Sequence, residues 1–203
     1  MHAVTSHLHN AIYSIALCAA LMPAACQLAF ANSPNIPPAV SSGLGNAKAL
    51  GQTRLAVYGF NIYDAKLWAG DGFVVANYAQ EPFALELHYL RNFNGTMIAE
   101  RSLKEMRRIG TINNENAKQW LDAMKKIFPD VKKDDQLIGI HQPDGTARFM
   151  LNGKTLGEVQ DAEFSRLFFG IWLSPKTSQP KMRSELIGSS VSSSVGSSAG
   201  AKK

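Results

Sequence analysis

Cysteine is almost absent from this chain of 203 residues, and its scarcity excludes several chemistries at once. Only Cys18 and Cys26 occur, both near the N-terminus. The rest of the chain has no material for a disulfide, a thiolate metal site or a cysteine nucleophile. Charge is scarce at the same end: residues 1 to 31 contain no Asp, Glu, Lys or Arg. Over the whole chain, charged residues make up 18% and hydrophobic residues 45%, ordinary proportions for a globular protein. The net charge of +5 is basic but not gathered into one stripe. Lys125-Lys126 and Lys132-Lys133 flank Asp130 and run into Asp134-Asp135, a pattern that argues against nucleic-acid binding. Catalytic signatures are also missing: there is no Gly-rich phosphate loop and no His pair at metal spacing, and the Gly-x-Ser-x-Gly pattern occurs only at 196–200, inside a low-complexity Ser/Gly tail. Outside the N-terminal segment the histidines are His88 and His141, on separate predicted strands. Each is expected to be satisfied or solvent-facing, with neither a metal nor a cofactor.

The uncharged start is informative. Ala11 to Ala25 is an apolar run of signal-peptide length, too short to span a bilayer with normal flanks. Ala29-Phe30-Ala31 supplies a small-x-small cleavage site. The expectation is a signal peptide over 1–31, hence a periplasmic or secreted protein with no stable membrane span. Residues 32–46 carry Ser-Pro-Asn-Ile-Pro-Pro and Ser-Ser-Gly-Leu-Gly and are expected to form a flexible lead-in. The Ser, Gly, Val and Ala tail over 189–203 lacks the apolar content to order itself. One folded domain over 47–188 remains.

Within that domain, Arg54 to Tyr63 predicts one strand, with Ala65 to Trp68 continuing after a bend. Phe83 to Leu90 alternates, placing Phe83, Leu85, Leu87 and Tyr89 on one face and Ala84, Glu86, His88 and Leu90 on the other. Glu86 is expected as a solvent-side charge. Asn94-Gly95 predicts a turn, and Thr96 to Ile109 a helix with Ala99, Leu103 and Met106 inward. Glu100 and Lys104 are spaced to pair on its outer face. A second helix is expected over 114–128, stopped by Pro129. Gln136 to His141 predicts a strand, and Asn152-Gly153 a tight hairpin between 147–151 and 154–159. Asp161 is expected to cap a helix through Leu173, and Ser178 a last short one with Pro180 in its first turn.

The strand-and-helix unit Phe83 to Gly110, taken with Phe169-Gly-Ile-Trp-Leu-Ser-Pro-Lys-Thr-Ser178, resembles the chalcone isomerase fold family and its bacterial, exported, chalcone-isomerase-like branch. The resemblance runs from about Gly43 to Gly188. It implies an α+β, open-faced β-sandwich in which a curved antiparallel sheet packs on helices beside an apolar cleft. Relatives either isomerise chalcones there or bind fatty acids without catalysis. The family's cleft arginine corresponds best to Arg54. Its catalytic tyrosine falls at Ile98, its helix asparagine at Glu105, its strand threonine near Ile62 and its later Ser/Thr at Gly157. Ile and Gly cannot order a water or donate a proton, so the resemblance implies lost isomerase machinery and no catalytic residue. The expected function is therefore binding of a small apolar or amphipathic, fatty-acid-like ligand. Arg54 is expected to hold a polar or anionic head, with Tyr58 and Tyr63 as further ligand-binding residues. One rival keeps lyase or isomerase chemistry on a non-flavonoid substrate, with Tyr58 or Tyr63 as proton donor. Another makes the chain an envelope interaction module whose cleft is filled by its own side chains.

Overall fold

The computed structural model describes residues 36–188; the expected signal peptide and Ser/Gly tail lie outside them. Six strands form one antiparallel meander in sequence order: β1 (Lys48–Val57), β2 (Phe60–Ala69), β3 (Phe83–Tyr89), β4 (Gln136–His141), β5 (Thr146–Leu151) and β6 (Lys154–Gln160). Helices α2 (Gly95–Ile109) and α3 (Asn114–Ile127) are inserted between β3 and β4, and α4 (Ala162–Leu173) and α5 (Pro180–Leu186) follow the sheet. They pack on one sheet face. The main core lies between, with Phe83, Leu85, Leu87 and Tyr89 meeting Ala99, Leu103 and Met106 of α2 and Phe164, Phe168 and Phe169 of α4. The expected open-faced α+β architecture is what the strand alternation and helical stripes build.

The other face is covered only in part. A short helix, α1 (Pro38–Leu44), lies where the sequence suggests a flexible lead-in. Its sequence explains it: Ile36, Val40 and Leu44 recur at four-residue spacing, and Pro38 occupies the first turn, where its missing N–H costs nothing. This stripe seals Trp68, Ala84, Ile138 and Ile140 into a second, smaller core. Trp68 is fully buried and donates its indole N–H to Glu86 at 2.7 Å. Glu86 is thus a structural acceptor rather than a plain solvent-side charge.

Four local expectations are corrected. The predicted single strand from Arg54 is a hairpin: Tyr58 and Gly59 take φ of 50° and 80°, and Val57 pairs with Phe60. Strand propensity on both sides hid the turn, because Tyr-Gly carries a weaker turn signal than Asn-Gly. Asn94-Gly95 is a helix start rather than a free turn. Asn94 accepts from the Met97 amide, and Asp130 accepts from both Asn94 Nδ2 and the Gly95 amide. Gly95 is required by close approach, since a Cβ there would lie 2.1 Å from the Phe128 carbonyl oxygen. The last helix is capped at Gln179 without a side-chain bond, not by Ser178. On α2, Glu100 pairs with Lys125 of α3 at 2.8 Å rather than with Lys104.

Candidate ligand-binding site

Beside the main core, between the hairpin end of the sheet and the helices, lies a cleft of about 400 Å³. The sheet contributes Leu55, Val57, Ile62, Tyr63, Leu87 and Tyr89; α4 contributes Phe168, Ile171 and Trp172; and Thr177 to Gln179 with Met182 close the far side. Helix α2 contributes Ile98, Arg101, Ser102 and Glu105. These four recur at three- and four-residue steps and so share one helical face. The adjacent face carries Ala99, Leu103 and Met106 into the core. One helix therefore packs the fold with one stripe and lines the cleft with the next.

A bulge shapes the sheet wall. Leu55 pairs with Tyr63 and Ala56 with Asn61, so Ile62 has no partner in the β1–β2 ladder. The extra residue locally re-aims the strand and brings Ile62 into the cleft beside Tyr63.

The polar groups are few and concentrated. Arg101 Nη2 lies 2.7 Å from Glu105 Oε1, one helical turn away, and Arg108 Nε lies 3.7 Å from Glu105 Oε2. The Glu105 side chain is only 10% exposed whereas that of Arg101 is 63% exposed, so the carboxylate is the buried partner and the guanidinium reaches the opening. Trp172 Nε1 donates to the Tyr63 hydroxyl at 3.1 Å. Tyr63 uses its oxygen as an acceptor and keeps its own proton free for the cleft. Burial pushes the Tyr63 hydroxyl up to about 12, opposed by the Trp172 bond and by Arg101. It stays protonated at neutral pH, a hydrogen-bond donor rather than a base. The Tyr89 ring packs edge-on at 6.0 Å, and burial raises its hydroxyl as well, with Tyr63 adding to the shift.

Of the residues singled out from sequence, Tyr63 lies in this cleft. Arg54 lies on the opposite sheet face, because alternation turns Leu55 and Tyr63 toward the cleft and Arg54 and Asp64 away. Its guanidinium grips Asp64 with two bonds, at 2.5 and 2.8 Å, beside Lys66, Glu86, His88 and Gln136 in a shallow polar depression. Tyr58 sits at the tip of the β1–β2 hairpin and is 97% exposed. The three residues are not brought together. Ile98, Glu105 and Ile62 do line the cleft, whereas Gly157 lies on β6 against Ile127. The cleft residues that sequence reasoning overlooked include Arg101, Ser102 and Ile171. For Arg101 and Ser102 the signal was a second stripe on α2, at 98, 101, 102 and 105, displaced by one position from the core stripe.

His141 is fully buried, stacked on Phe83 at 5.1 Å, with Nδ1 2.9 Å from the Glu81 carbonyl oxygen. Its Nε2 has no partner. His141 is thus only half satisfied, and burial lowers its pKa. Among the described residues no group of three His, Cys, Asp or Glu is placed to hold a metal ion, and no helix is long and apolar enough to cross a membrane.

The sequence model of a family described as chalcone isomerase-like matches residues 54–188. An uncharacterized protein of Haemophilus influenzae is 31% identical over 129 residues, which are 64% of this chain; the chain spans 62% of that relative's length. Among solved structures, a fatty-acid binding protein of Arabidopsis thaliana superposes with a TM-score of 0.55 at 10% identity. The match covers 72% of this chain and 89% of that one. At that identity the likeness concerns the fold.

Proposed function

The chain belongs to the chalcone isomerase-like family, and on that footing we propose that it is an exported protein that binds a small amphipathic, fatty-acid-like ligand without turning it over. The observation that carries this reading is the cleft itself. At about 400 Å³ it falls within the usual range for small-molecule pockets, roughly 300–1,000 Å³. Its walls are largely aliphatic and aromatic, with polar side chains at Tyr63, Arg101, Ser102 and Glu105 and, on the far side, at Thr177 to Gln179. An apolar tail fits the former and a polar head the latter. The fatty-acid binding protein of similar fold supports the ligand class. Export rests on the uncharged start and the Ala29-Phe30-Ala31 site.

The chemistry of the polar cluster supports binding over turnover. A general acid or base works best with a pKa near the working pH, and Tyr63 at about 12 is far from it. Glu105 is tied up by two arginines. Tyr58, at the exposed hairpin tip, is not in the cleft. The test is native mass spectrometry of the protein purified from its own cells, with organic extraction of whatever is bound. A co-purifying amphiphile, lost when Ile171→Arg places a charge in the apolar wall, is the expected result. A clean apo mass, with no uptake from a mixed lipid pool, refutes the reading.

A further inference from the structure

Two hairpins of this chain share one geometry and differ in sequence. Between β5 and β6, Asn152 and Gly153 turn at φ of 50° and 79°, flanked by the paired Leu151 and Lys154. Between β1 and β2, Tyr58 and Gly59 turn at φ of 50° and 80°, flanked by the paired Val57 and Phe60. Asn tolerates left-handed backbone because its short polar side chain bonds locally, whereas a bulky ring there is strained. Packing does not compensate, since Tyr58 is 97% exposed. The first hairpin thus keeps an aromatic residue where the second keeps the cheaper one.

The tip has company. Five large apolar side chains are well exposed among the described residues, and four of them are Val57, Tyr58, Phe60 and Met97. Val57 and Met97 are also cleft walls, so this exposed apolar surface forms the rim of the cleft. Two cations accompany it. The Arg91 guanidinium lies 4.6 Å from the Phe60 ring centroid, and Arg101, one helical turn beyond Met97, is 63% exposed.

We propose that the β1–β2 hairpin tip docks the protein on an anionic lipid bilayer. Tyr58 and Phe60 enter the headgroup layer, Arg91 and the exposed edge of the Arg101 guanidinium, whose Nη2 stays on Glu105, meet lipid phosphates, and the cleft mouth faces the membrane. A two-residue turn is convex and offers no broad face of the kind that a stable protein interface buries, roughly 800 Å² per partner. An aromatic ring with a polar edge beside arginines suits the bilayer interface. Docking goes beyond ligand binding, and it is measured without any ligand.

The test is flotation of the purified protein with vesicles of phosphatidylcholine alone and of phosphatidylcholine mixed with phosphatidylglycerol. The wild type is expected to float with the anionic vesicles and to be released by salt, which screens the arginines. Tyr58→Asn is expected to lower partitioning about tenfold, the contribution of burying one large apolar side chain. Phe60→Ser should do the same, and Val74→Ser, the exposed apolar residue outside the rim, should change nothing. Because Tyr58→Asn relieves the turn, its loss of docking cannot be attributed to unfolding. Equal partitioning of wild type and Tyr58→Asn, or a wild type that stays in solution, overturns the proposal. A wild type that floats with anionic vesicles yet takes up no fatty acid supports docking while refuting the ligand reading.

Discussion

Replacing Tyr63 by Phe removes one oxygen from the cleft and gives a prediction in two parts. In the folded protein that oxygen accepts from Trp172 Nε1 at 3.1 Å, so the variant orphans the indole N–H. A buried donor left without a partner costs about 1–3 kcal/mol. Trp172 borders the cleft, where water can reach it, which places the cost near the lower end, about 1 kcal/mol. For a chain of this size that lowers Tm by roughly 2–4 °C. The ring itself is kept, and with it the edge-on packing against Tyr89. The second part concerns the ligand. A phenylalanine cannot donate to a carboxyl or hydroxyl head, and one lost hydrogen bond of about 0.5–1.5 kcal/mol weakens binding roughly two- to tenfold. The matching alkane, which has no head, should bind unchanged. Thermal melts and displacement of a fluorescent probe by a long-chain acid, its alcohol and its alkane measure both parts. Equal weakening for all three makes Tyr63 a wall rather than a donor. Unchanged acid and alcohol binding places the head elsewhere, and either result refutes the assignment.

Other expectations follow from single contacts. Arg54→Ala should leave ligand uptake unchanged, since Arg54 faces away from the cleft and pairs with Asp64; lost uptake in the same displacement assay overturns that placement. Gly51→Ala should fail to fold or lose more than about 3 kcal/mol in urea denaturation, because its Cβ would lie 2.2 Å from the Glu185 carbonyl oxygen under α5. Tyr58→Asn should raise stability by about 1 kcal/mol, seen as a higher urea midpoint at unchanged slope; a lower midpoint contradicts the strain argument. Burial pushes the His141 ring below its ordinary value of 6.5, so the fold holds it neutral while the unfolded chain takes up a proton. Stability is therefore full above about pH 6.5 and falls as pH drops through it, by at most about 1.4 kcal/mol per pH unit, until the folded ring protonates. His141→Phe should flatten that part of the pH profile, as followed by urea titrations across the range.

Much of the fold was legible in the sequence because its signals were local. Alternation in Phe83 to Tyr89 set the inner face of β3, and Asn152-Gly153 and Asp161 marked a hairpin and a helix start that the structure keeps. What escaped was decided by tertiary contact. Residues 38–44 look like a loop until Trp68 and Ile140 offer Val40 a surface. Tyr58-Gly59 looks like strand because the residues around it favour strand, and the turn residue gives little sign. The site was harder still. Arg54 and Leu55 are neighbours in sequence and lie on opposite sides of a sheet, so choosing between them needs the register, and a bulge at Ile62 changes that register within the hairpin.

The same geometry explains why the cleft holds a charged pair at all. Glu105, 10% exposed, lies in a largely apolar wall, and Arg101 and Arg108 pair with it from the same helix. An entering ligand expels water from this end of the cleft and strengthens that attraction, which discourages Arg101 from leaving Glu105 to form a two-pronged clamp on the ligand. Neutral donors remain in the cleft, among them the Tyr63 proton, kept available because Trp172 satisfies the oxygen from the other side. A site with neutral hydroxyl donors and one occupied arginine grips a head group loosely, and most of its hold comes from the apolar walls. Such a site selects for an elongated apolar body with a small polar end and discriminates weakly among the polar ends themselves. On the proposed reading, that selectivity suits the binding of a class of amphiphiles.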